Sequence, residues 1–561
     1  MGTRTAPEAE AFSRPPGTEP QRLPPLSPAG TAVALLFGCA SFTPSLLPRA
    51  WWLQAVVVGL SAAFGYWVGV FVGWLVVTVS GRSPSPATRR RLWMALAAIG
   101  VPLLSVTLWL GHRWQEDLHR LMGAEPPDSY AWVRILLVAL AWYSLLVGVG
   151  LVLVWLVRTV AARLARRLPR RLARPLAVVL VGVLLVGFNN GLVWRVLVEA
   201  ANVTSSVVNG ATKPGDSRPS APERSGSPAS LTDWRSLGRQ GRDFVAGGPS
   251  QAQLRAFSGK APGQPVRVYV GLDLSQTTRQ RAALAVRELQ RAGGFDRSVL
   301  VVVTTTGTGL VEPDNADAIE YLHNGDSAIV SMQYSYLPSW ISFLVDQEKA
   351  QQAGRELFNQ VYDAWLERPA ASRPRLLVSG TSLGAFGAEG AFSGLEDLRH
   401  RTDGVVLAGP PNASVLHGEL VAQRDPGTPE WLPVVDGGHP VRFAAAASDL
   451  RVAPGSSQPE LVYLQHGSDP IVYWSPRLLF DRPDWLGEPA ATDVSPDMFW
   501  MPVVTFWQVT ADLPFALNAP PGHGHHYREI FADAWAAVAP PPGWGEEDTQ
   551  RLRARLATPG E

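Results

Sequence analysis

The most informative stretch of the chain is Leu376-Leu377-Val378-Ser379-Gly380-Thr381-Ser382-Leu383-Gly384-Ala385-Phe386-Gly387, in which Gly-x-Ser-x-Gly follows an apolar run. The pattern predicts a buried strand, a sharp turn at Ser382 and the start of a helix. Such a turn leaves room only for small neighbours, which explains the glycines. We interpret Ser382 as a nucleophile; the alternative is a serine that merely caps the helix.

Further apolar runs around this motif alternate with helical patterns. Strands are predicted at Arg267–Val270, Ser298–Val303, Ala328–Met332, Leu376–Val378, Gly404–Leu407 and Leu461–Leu464. Helical periodicity covers about 276–292, 313–325, 346–366, 384–394 and 527–538. This alternation predicts a mostly parallel sheet with helices on both faces. Together with the serine turn, it is typical of an α/β-hydrolase fold, predicted here over residues 251–561.

The second chemical group is an acid that follows the last of these strands. In α/β-hydrolases the nucleophile, the acid and the histidine occur in that order along the chain. Asp469 comes soon after Leu461–Leu464, and Pro470 fixes the turn that would aim it. We predict that Asp469 orients the histidine and stabilises its charged form. A purely structural Asp-Pro turn is the alternative, and the nearby His466 precedes the acid.

Three histidines in Gly522-His523-Gly524-His525-His526-Tyr527 compete for the third role. His525 follows a Gly-x-Gly turn and stands just before an aromatic residue at a predicted helix start, so we favour it as the general base. His523 is the runner-up, and His526 is expected on the helix. A metal site is the alternative reading, since imidazoles bind zinc. No cysteine or obvious acidic ligand stands beside the cluster, so neither a metal nor another cofactor is expected.

Backbone N–H groups should stabilise an oxyanion next to the serine. One donor is expected from Leu383, the residue after the nucleophile. The second should come from the loop after the strand Ser298–Val303, at Thr305 or Thr306.

The first 200 residues have a different character, with five apolar stretches at about 30–47, 51–79, 92–111, 131–157 and 175–198. About 20 apolar residues cross about 30 Å of hydrocarbon, and only the first stretch, interrupted by Pro44 and Pro48, is marginal. The sequence therefore predicts a transmembrane helical bundle of about five spans over residues 29–200. A polar tail, 1–28, is expected to be disordered, and the Ser-, Pro- and Gly-rich segment 201–250 is expected to be a linker.

Composition excludes several other classes of function. The formal net charge is +1, which gives no reason to expect a nucleic-acid partner. The single cysteine, Cys39, lies in an apolar run, so an intramolecular disulfide or a cysteine-based zinc cluster is excluded. The expected partners are the lipid bilayer and a small-molecule or lipid acyl substrate.

The quoted motifs resemble a bacterial, largely actinobacterial, family of membrane α/β-hydrolases with a multi-helix N-terminal domain. The similar stretches are Phe42–Arg49, Gln333–Trp340, Ser382–Gly387 and Gly522–His525. The family often has Glu where this chain has Thr381, a departure that leaves the serine in place. The resemblance implies the fold and the nucleophile rather than a particular reaction.

Two classes of function follow from these residues. The first is a membrane-anchored serine hydrolase that acts on an ester, thioester or lipid-like acyl group, or an acyltransferase that uses the same acyl-enzyme. The second is a non-catalytic membrane scaffold that keeps the fold. About 50 residues between the strands at 404–407 and 461–464 have the place of a cap. The aromatic-rich segment 473–519 would suit an apolar acyl pocket or a packed core.

Arginine-rich loops give the expected orientation in the membrane. Arg82, Arg89, Arg90 and Arg91 follow the second apolar stretch, and seven arginines lie between 158 and 174. The loop 112–130 carries acidic residues that offset its two arginines. Because positive loops stay in the cytoplasm, the two arginine-rich loops are expected inside, and the C-terminal half outside.

We therefore predict that alkaline phosphatase fused to the C-terminus is active in a bacterial host, whereas a fluorescent protein that folds only in the cytoplasm is dark. The measurement is enzyme activity and fluorescence at matched expression. An inactive phosphatase fusion with a bright fluorescent fusion would reverse the orientation.

Overall fold

Seven strands form one sheet in the C-terminal half of the chain. The computed structural model describes residues 26–127, 131–188, 199, 204–273, 276–451, 457–528 and 530–558. The strands are β1 Val266–Val270, β2 Val299–Thr304, β3 Ser327–Met332, β4 Arg375–Thr381, β5 Gly404–Ala408, β6 Val441–Ala444 and β7 Leu461–Leu464. They pair in the order β1-β3-β2-β4-β5-β7-β6, and every neighbouring pair is parallel. The prediction of a parallel sheet is confirmed.

Strand β2 illustrates why these segments are strands. Its sequence, Val-Leu-Val-Val-Val-Thr, is buried along its whole length and dominated by β-branched residues, as suits a sheet covered on both faces. Leu300 and Val302 join one hydrophobic core, whereas Val299, Val301 and Val303 join a second core on the opposite face. This alternation follows from the two-residue period of a strand.

Strand β6 was missed from the sequence. It lies inside the segment that we expected to be a cap, and it pairs with β7 at the edge of the sheet. Its four residues, Val-Arg-Phe-Ala, are too few to give a period-two signal. Part of the predicted cap is therefore sheet.

The N-terminal half begins with five helices, α1 Pro28–Ala40, α2 Trp51–Ser80, α3 Pro86–Leu121, α4 Ala131–Leu164 and α5 Arg170–Phe188. Among the described residues three of them, α2, α3 and α4, are long and apolar enough to cross a membrane. The prediction of about five spans is therefore wrong for the described part of the chain.

The two shortfalls have different causes. Helix α1 has 13 residues, which at about 1.5 Å per residue gives a length well short of about 30 Å of hydrocarbon. Helix α5 is described over Arg170–Phe188, and its three arginines precede the predicted stretch, so only 175–188 of that stretch is described as helix. Residues 189–198, the remainder of that stretch, lie outside the described residues, as do 1–25 of the predicted tail.

The remaining helices cover the sheet and its carboxyl edge. They are α6 at 204–210, α7 Gly238–Ala246, α8 Gln251–Ser258, α9 Thr278–Arg291, α10 Pro313–Leu322, α11 Ser339–Val345, α12 Gln347–Leu366, α13 Leu383–Glu389, α14 Leu395–Arg401, α15 Val415–Ala422, α16 Pro470–Tyr473, α17 Val504–Asp512, α18 Ile530–Val538 and α19 Glu546–Ala557. Helices α9, α12 and α13 pack on one face, and α10, α18 and α19 on the other.

The segment expected to be a linker is instead packed against the sheet over its described part, 204–250. Ser225 N–H donates to the carbonyl of Arg267 in β1 (3.0 Å). Arg224 Nη1 donates to the carbonyl of Val245 in α7 (2.8 Å). Glu288 in α9 accepts the backbone N–H of Leu231 (2.8 Å). Leu237, Phe244 and Val245 also join the core on one face of the sheet. These apolar residues are few among small, polar ones, so the composition of the segment resembled a linker.

The two halves of the chain share a hydrophobic core. Leu46, Leu47, Leu118 and Met122 from the N-terminal half pack in one cluster with residues of the aromatic-rich segment, among them Val472, Tyr473, Leu478, Trp485 and Val509. A buried ion pair joins Arg49 Nε to Asp512 Oδ1 at 3.0 Å, and the Ser45 hydroxyl donates to the same carboxylate. Much of this segment therefore serves as core, one of its two expected uses.

Glu389, at the end of α13, generates a prediction about stability. Burial raises its pKa to about 8, against the opposing hydrogen bond from the Tyr463 hydroxyl (2.8 Å). An unfolded glutamate has a pKa of about 4.3, so the folded state holds the extra proton between these values. The free energy of unfolding should then fall as the pH rises from about 4.5 to 8, by up to about 1.4 kcal/mol for each pH unit.

Glu389→Gln keeps the shape of the side chain but cannot ionise. We therefore expect its free energy of unfolding to be higher than that of the parent chain at the alkaline end of this range. The measurement is chemical denaturation across that pH range, with the exposed Glu396→Gln on α14 as the matched control. An unchanged pH dependence in Glu389→Gln would contradict the assignment.

Candidate active site

Ser382 occupies the turn between β4 and α13. Its backbone has φ 58° and ψ −127°, a left-handed conformation that costs a non-glycine residue energy and is held by the surrounding chain. The Ser382 N–H donates to the carbonyl of Ala408 in β5 (2.8 Å). Ser382 lies at the carboxyl edge of the sheet, as the sequence predicted.

The two motif glycines are explained by close backbone contacts. A Cβ on Gly380 would lie 2.4 Å from the carbonyl oxygen of Gly384, and a Cβ on Gly384 would lie 2.3 Å from the carbonyl oxygen of Thr304. Neither space accepts a side chain, so the strand, the turn and the next loop can approach only with glycine at both positions.

Asp469 and His525 form a buried pair. His525 Nδ1 lies 2.7 Å from Asp469 Oδ2, and both side chains are almost completely buried. The same carboxylate oxygen accepts the Tyr527 hydroxyl (2.6 Å), while Oδ1 accepts the backbone N–H of Ile471 (2.9 Å). The carboxylate thus has three donors, two of them from the loop that carries the histidine.

The electrostatics of the pair favour an ionised carboxylate. Burial by itself would raise the pKa of Asp469, but the charge of His525 and the hydrogen bonds from His525, Tyr527 and Ile471 together hold it below the ordinary value. An ionised Asp469 fixes the proton of His525 on Nδ1 and leaves Nε2 as the basic nitrogen. His525 Nε2 is buried and has no hydrogen-bond partner among the described residues.

Ser468 and His466, which were not assigned to the site from the sequence, bind the backbone of the histidine loop. Ser468 Oγ accepts the backbone N–H of Gly524 (2.8 Å) and donates to Asp493 Oδ2 (2.6 Å). His466 Nδ1 donates to the carbonyl of Gly524 (2.8 Å). The His466 ring stacks on Tyr527 with 4.5 Å between ring centroids. His466 therefore belongs to the site as support; its position beside Asp469 was the available signal.

The other histidines of the cluster point elsewhere. His526 Nδ1 contacts the carbonyl of Ala519 (3.2 Å). His523 is half-buried, its Nδ1 has no partner among the described residues, and burial lowers its pKa. Of the two candidates for the general base, the structure therefore brings His525, and not His523, to Asp469. The described residues contain no group of His, Cys, Asp and Glu side chains arranged for a metal ion.

The three expected oxyanion donors differ in whether their N–H groups already have an acceptor. Leu383 is the first residue of α13, so its N–H has no acceptor within the helix. Thr305 lies close to the start of α13, because a Cβ on Gly384 would be 3.0 Å from the carbonyl oxygen of Thr305. The N–H of Thr306 is donated to the carbonyl of Leu310 (3.0 Å) and closes a turn. Because this hydrogen bond engages the N–H of Thr306, Leu383 and Thr305 are the donors that we retain as predictions.

A cleft of about 780 Å³ lies along the same edge of the sheet. Its walls come from the segments that follow β3, β5 and β7, and they include Phe343, Lys349, Asn412, Ala413, Trp474 and Pro476. Trp474 is anchored by its indole N–H, which donates to Thr510 Oγ1 (2.7 Å), and by Phe343, 5.8 Å away between ring centroids. One aromatic residue of the aromatic-rich segment, Trp474, thus lines a cleft, as a pocket requires.

Gly409, which directly follows β5, was also missed. A Cβ there would lie 2.3 Å from His525 Cε1 and 2.6 Å from His525 Nδ1, so the imidazole lies directly on this glycine. Gly409 has φ 54°. The residue before it, Ala408, accepts the N–H of Ser382. Gly409 therefore sets how closely the histidine approaches the serine turn.

We predict that Gly409→Ala displaces the imidazole and lowers the rate at which a fluorophosphonate probe labels Ser382 on the order of 100-fold, the cost of a displacement of about 1 Å. The matched control is Gly418→Ala in α15, where a Cβ meets no atom within 4 Å. Rates of labelling and thermal unfolding are measured for both. Equal labelling rates for the two variants would refute this role of Gly409.

Comparison with known proteins agrees with this geometry. The sequence profile of an alpha/beta-hydrolase family matches residues 266–552, and the profile of that family's N-terminus matches residues 42–249. No curated protein and no solved structure matches the chain. The matched ranges include Ser382, Asp469 and His525 as well as the apolar helices α2, α3 and α4. The chain belongs to this alpha/beta-hydrolase family, whose N-terminal domain it also contains.

Proposed function

We propose that the protein is a membrane-anchored serine hydrolase that cleaves an ester or thioester of a lipid-like acyl group through an acyl-enzyme. The observation that carries the proposal is the buried Asp469–His525 pair, which rests on Gly409 beside the strained Ser382 turn. Its free basic nitrogen, His525 Nε2, is the group that a serine nucleophile needs.

In the first half of the reaction Ser382 Oγ attacks the acyl carbonyl carbon, and its proton passes to His525 Nε2. Asp469 stabilises the imidazolium that forms. The N–H groups of Leu383 and Thr305 are the proposed donors to the negatively charged oxygen of the tetrahedral intermediate. When the intermediate collapses, the bond to the leaving group breaks, and the leaving alcohol or thiol takes the proton from His525.

In the second half a water molecule attacks the acyl-enzyme while His525 accepts one of its protons. The bond between the acyl carbon and Ser382 Oγ then breaks, and the proton returns to the serine. The products are a carboxylic acid and the free enzyme. Each step uses only this chain's side chains and backbone, together with water.

The substrate class follows from the cleft and the bundle. Phe343, Ala413 and Trp474 give the cleft apolar walls that suit a hydrocarbon chain. Lys349 adds no net charge, because it pairs with Asp346 Oδ1 (2.7 Å) and Glu348 lines the same cleft. The hydrolase domain packs against the bundle near Leu47 and Leu118, which supports a site close to the membrane surface. An acyl group that partitions into the bilayer would therefore reach this cleft by a short path.

The side of the membrane is part of the proposal. The hydrolase domain contacts the end of α3 near Leu118 and Met122, which is the end predicted to lie outside by the arginine-rich loops. The Trp114 indole N–H donates to Asp497 Oδ2 (3.0 Å) at the same end. These contacts support an extracytoplasmic hydrolase domain, with α2, α3 and α4 crossing the membrane. A fourth crossing, through the apolar stretch that begins in α5, returns the chain to the outer side in this arrangement.

The central experiment measures covalent labelling of the full-length protein by a fluorophosphonate probe. We expect labelling of the parent chain, none of Ser382→Ala, and a loss of several orders of magnitude in rate for His525→Ala. His523→Ala is the matched control. It removes an imidazole from the same loop, but the contact with Asp469 is made by His525 and not by His523.

Labelling that survives in Ser382→Ala would move the nucleophile elsewhere. A dead His523→Ala with a normal His525→Ala would move the base two residues back. An unlabelled parent chain with intact thermal unfolding would favour the scaffold over the enzyme.

A further inference from the structure

A second cavity lies in the N-terminal half, away from the sheet edge. It has a volume of about 740 Å³ and is enclosed by the start of α2, the second half of α3 and the start of α4. Most of its walls are apolar or aromatic, and they include Phe42, Trp51, Leu108, Trp109, Trp132 and Ile135. This volume is typical of a small-molecule site. None of these residues takes part in the proposed serine chemistry.

One wall of this cavity carries buried hydrogen-bond donors. The Arg49 side chain is completely buried; its Nε donates to Asp512 Oδ1 (3.0 Å) and its Nη1 to Gln54 Oε1 (3.0 Å). Its remaining nitrogen, Nη2, is buried without a hydrogen-bond partner among the described residues. Gln115 Oε1 accepts the backbone N–H of Arg49 (3.0 Å), and Gln115 Nε2 is likewise buried without a partner.

Arg49 and Gln115 both line the cavity and each has a buried donor without an acceptor, which points to a ligand that supplies acceptors. A buried donor without an acceptor costs about 1–3 kcal/mol, and more when it is charged. The charge of Asp512 is already engaged by Arg49 Nε and the Ser45 hydroxyl. His112 and His119 also line the cavity; His112 faces Glu116 Oε1 at 3.3 Å, and His119 Nδ1 contacts the carbonyl of Gln115 (2.6 Å). Oxygen atoms of a phosphate or carboxylate match such a wall.

The surroundings indicate where that ligand comes from. Trp109 and Trp132 line the cavity, yet each remains about half exposed, at 55% and 50%. They lie at the ends of the apolar helices nearest the hydrolase domain, where tryptophan is typical of a membrane–water interface. The two half-exposed rings therefore indicate that lipid head groups would lie beside this cavity.

We infer that this cavity binds one bilayer lipid whose head group carries an oxyanion. Its oxyanion accepts hydrogen bonds from Arg49 Nη2 and Gln115 Nε2, and one acyl chain lies between Leu108, Trp109 and Trp132. The inference does not depend on Ser382 being a nucleophile, because it concerns a different cavity and a binding event.

The test uses the full-length protein in detergent micelles and photoactivatable phosphatidylglycerol with a diazirine at the end of one acyl chain. We expect labelling of peptides that contain Leu108–Trp109 and Trp132–Ile135, and at least about tenfold less with diacylglycerol of the same chains, which lacks the oxyanion. Equal labelling by the charged and the neutral lipid would overturn the inference.

Two variants make the test specific. Gln115→Glu keeps the acceptor for the Arg49 N–H but replaces the free donor by a negative charge, and should lower labelling by phosphatidylglycerol at least about tenfold. Ser105→Phe fills the cavity from an exposed position on α3 and should block labelling without touching the ion pair. Asp117→Asn, exposed on the same helix, is the control and should label like the parent chain. Labelling unaffected by both variants would refute the site.

A separate thermal-unfolding experiment distinguishes binding of a lipid from binding of a free anion. Inorganic phosphate added to delipidated protein should leave the thermal unfolding temperature unchanged, whereas phosphatidylglycerol should raise it. A shift produced by phosphate alone and equal to that of the lipid would assign the wall to a soluble oxyanion instead.

Discussion

The constraint on which the rest of this structure depends is the common direction of its strands. Because β4, β5 and β7 lie side by side and parallel, residues far apart in sequence leave the sheet at one edge. Ser382 follows β4, Gly409 follows β5 and Asp469 follows β7, so the serine turn, the surface under the imidazole and the acid come together without a long loop. Only the histidine comes from a loop that does not directly follow a strand, and several hydrogen bonds hold this loop in place.

The parts of the site that the sequence predicted are those with local causes. The turn at Ser382 could be predicted because close backbone contacts demand glycine at 380 and 384, and the turn at Asp469 because it follows a strand. Gly409 was missed because its reason is the ring of His525, more than 100 residues later in the chain. The linker prediction failed for a similar reason. Composition does not distinguish a polar segment that packs through hydrogen bonds, as Glu288 does with Leu231, from one in solvent.

The histidine loop is held from two directions. On the side of the sheet, His466 and Ser468 bind the Gly524 peptide, while Tyr527 and Asp469 hold the residues after it. On the other side, the His525 N–H donates to the carbonyl of Ala516 (2.9 Å), in the 3₁₀ turn that directly follows α17. A loop rich in glycine has much conformational entropy to lose, and these contacts provide the compensation.

The same turn connects the histidine loop to the N-terminal half. Helix α17 ends at Asp512, which pairs with Arg49, and Leu47 would be 3.3 Å from a Cβ on Gly524, the residue before His525. The segment around Arg49 therefore contacts both the loop that carries the imidazole and the wall of the cavity in the bundle. An N-terminal half that served only as an anchor would not need a buried ion pair, which is expensive to desolvate and retained here at the junction. The bundle is therefore part of the framework that positions His525, and the two halves form one structural unit.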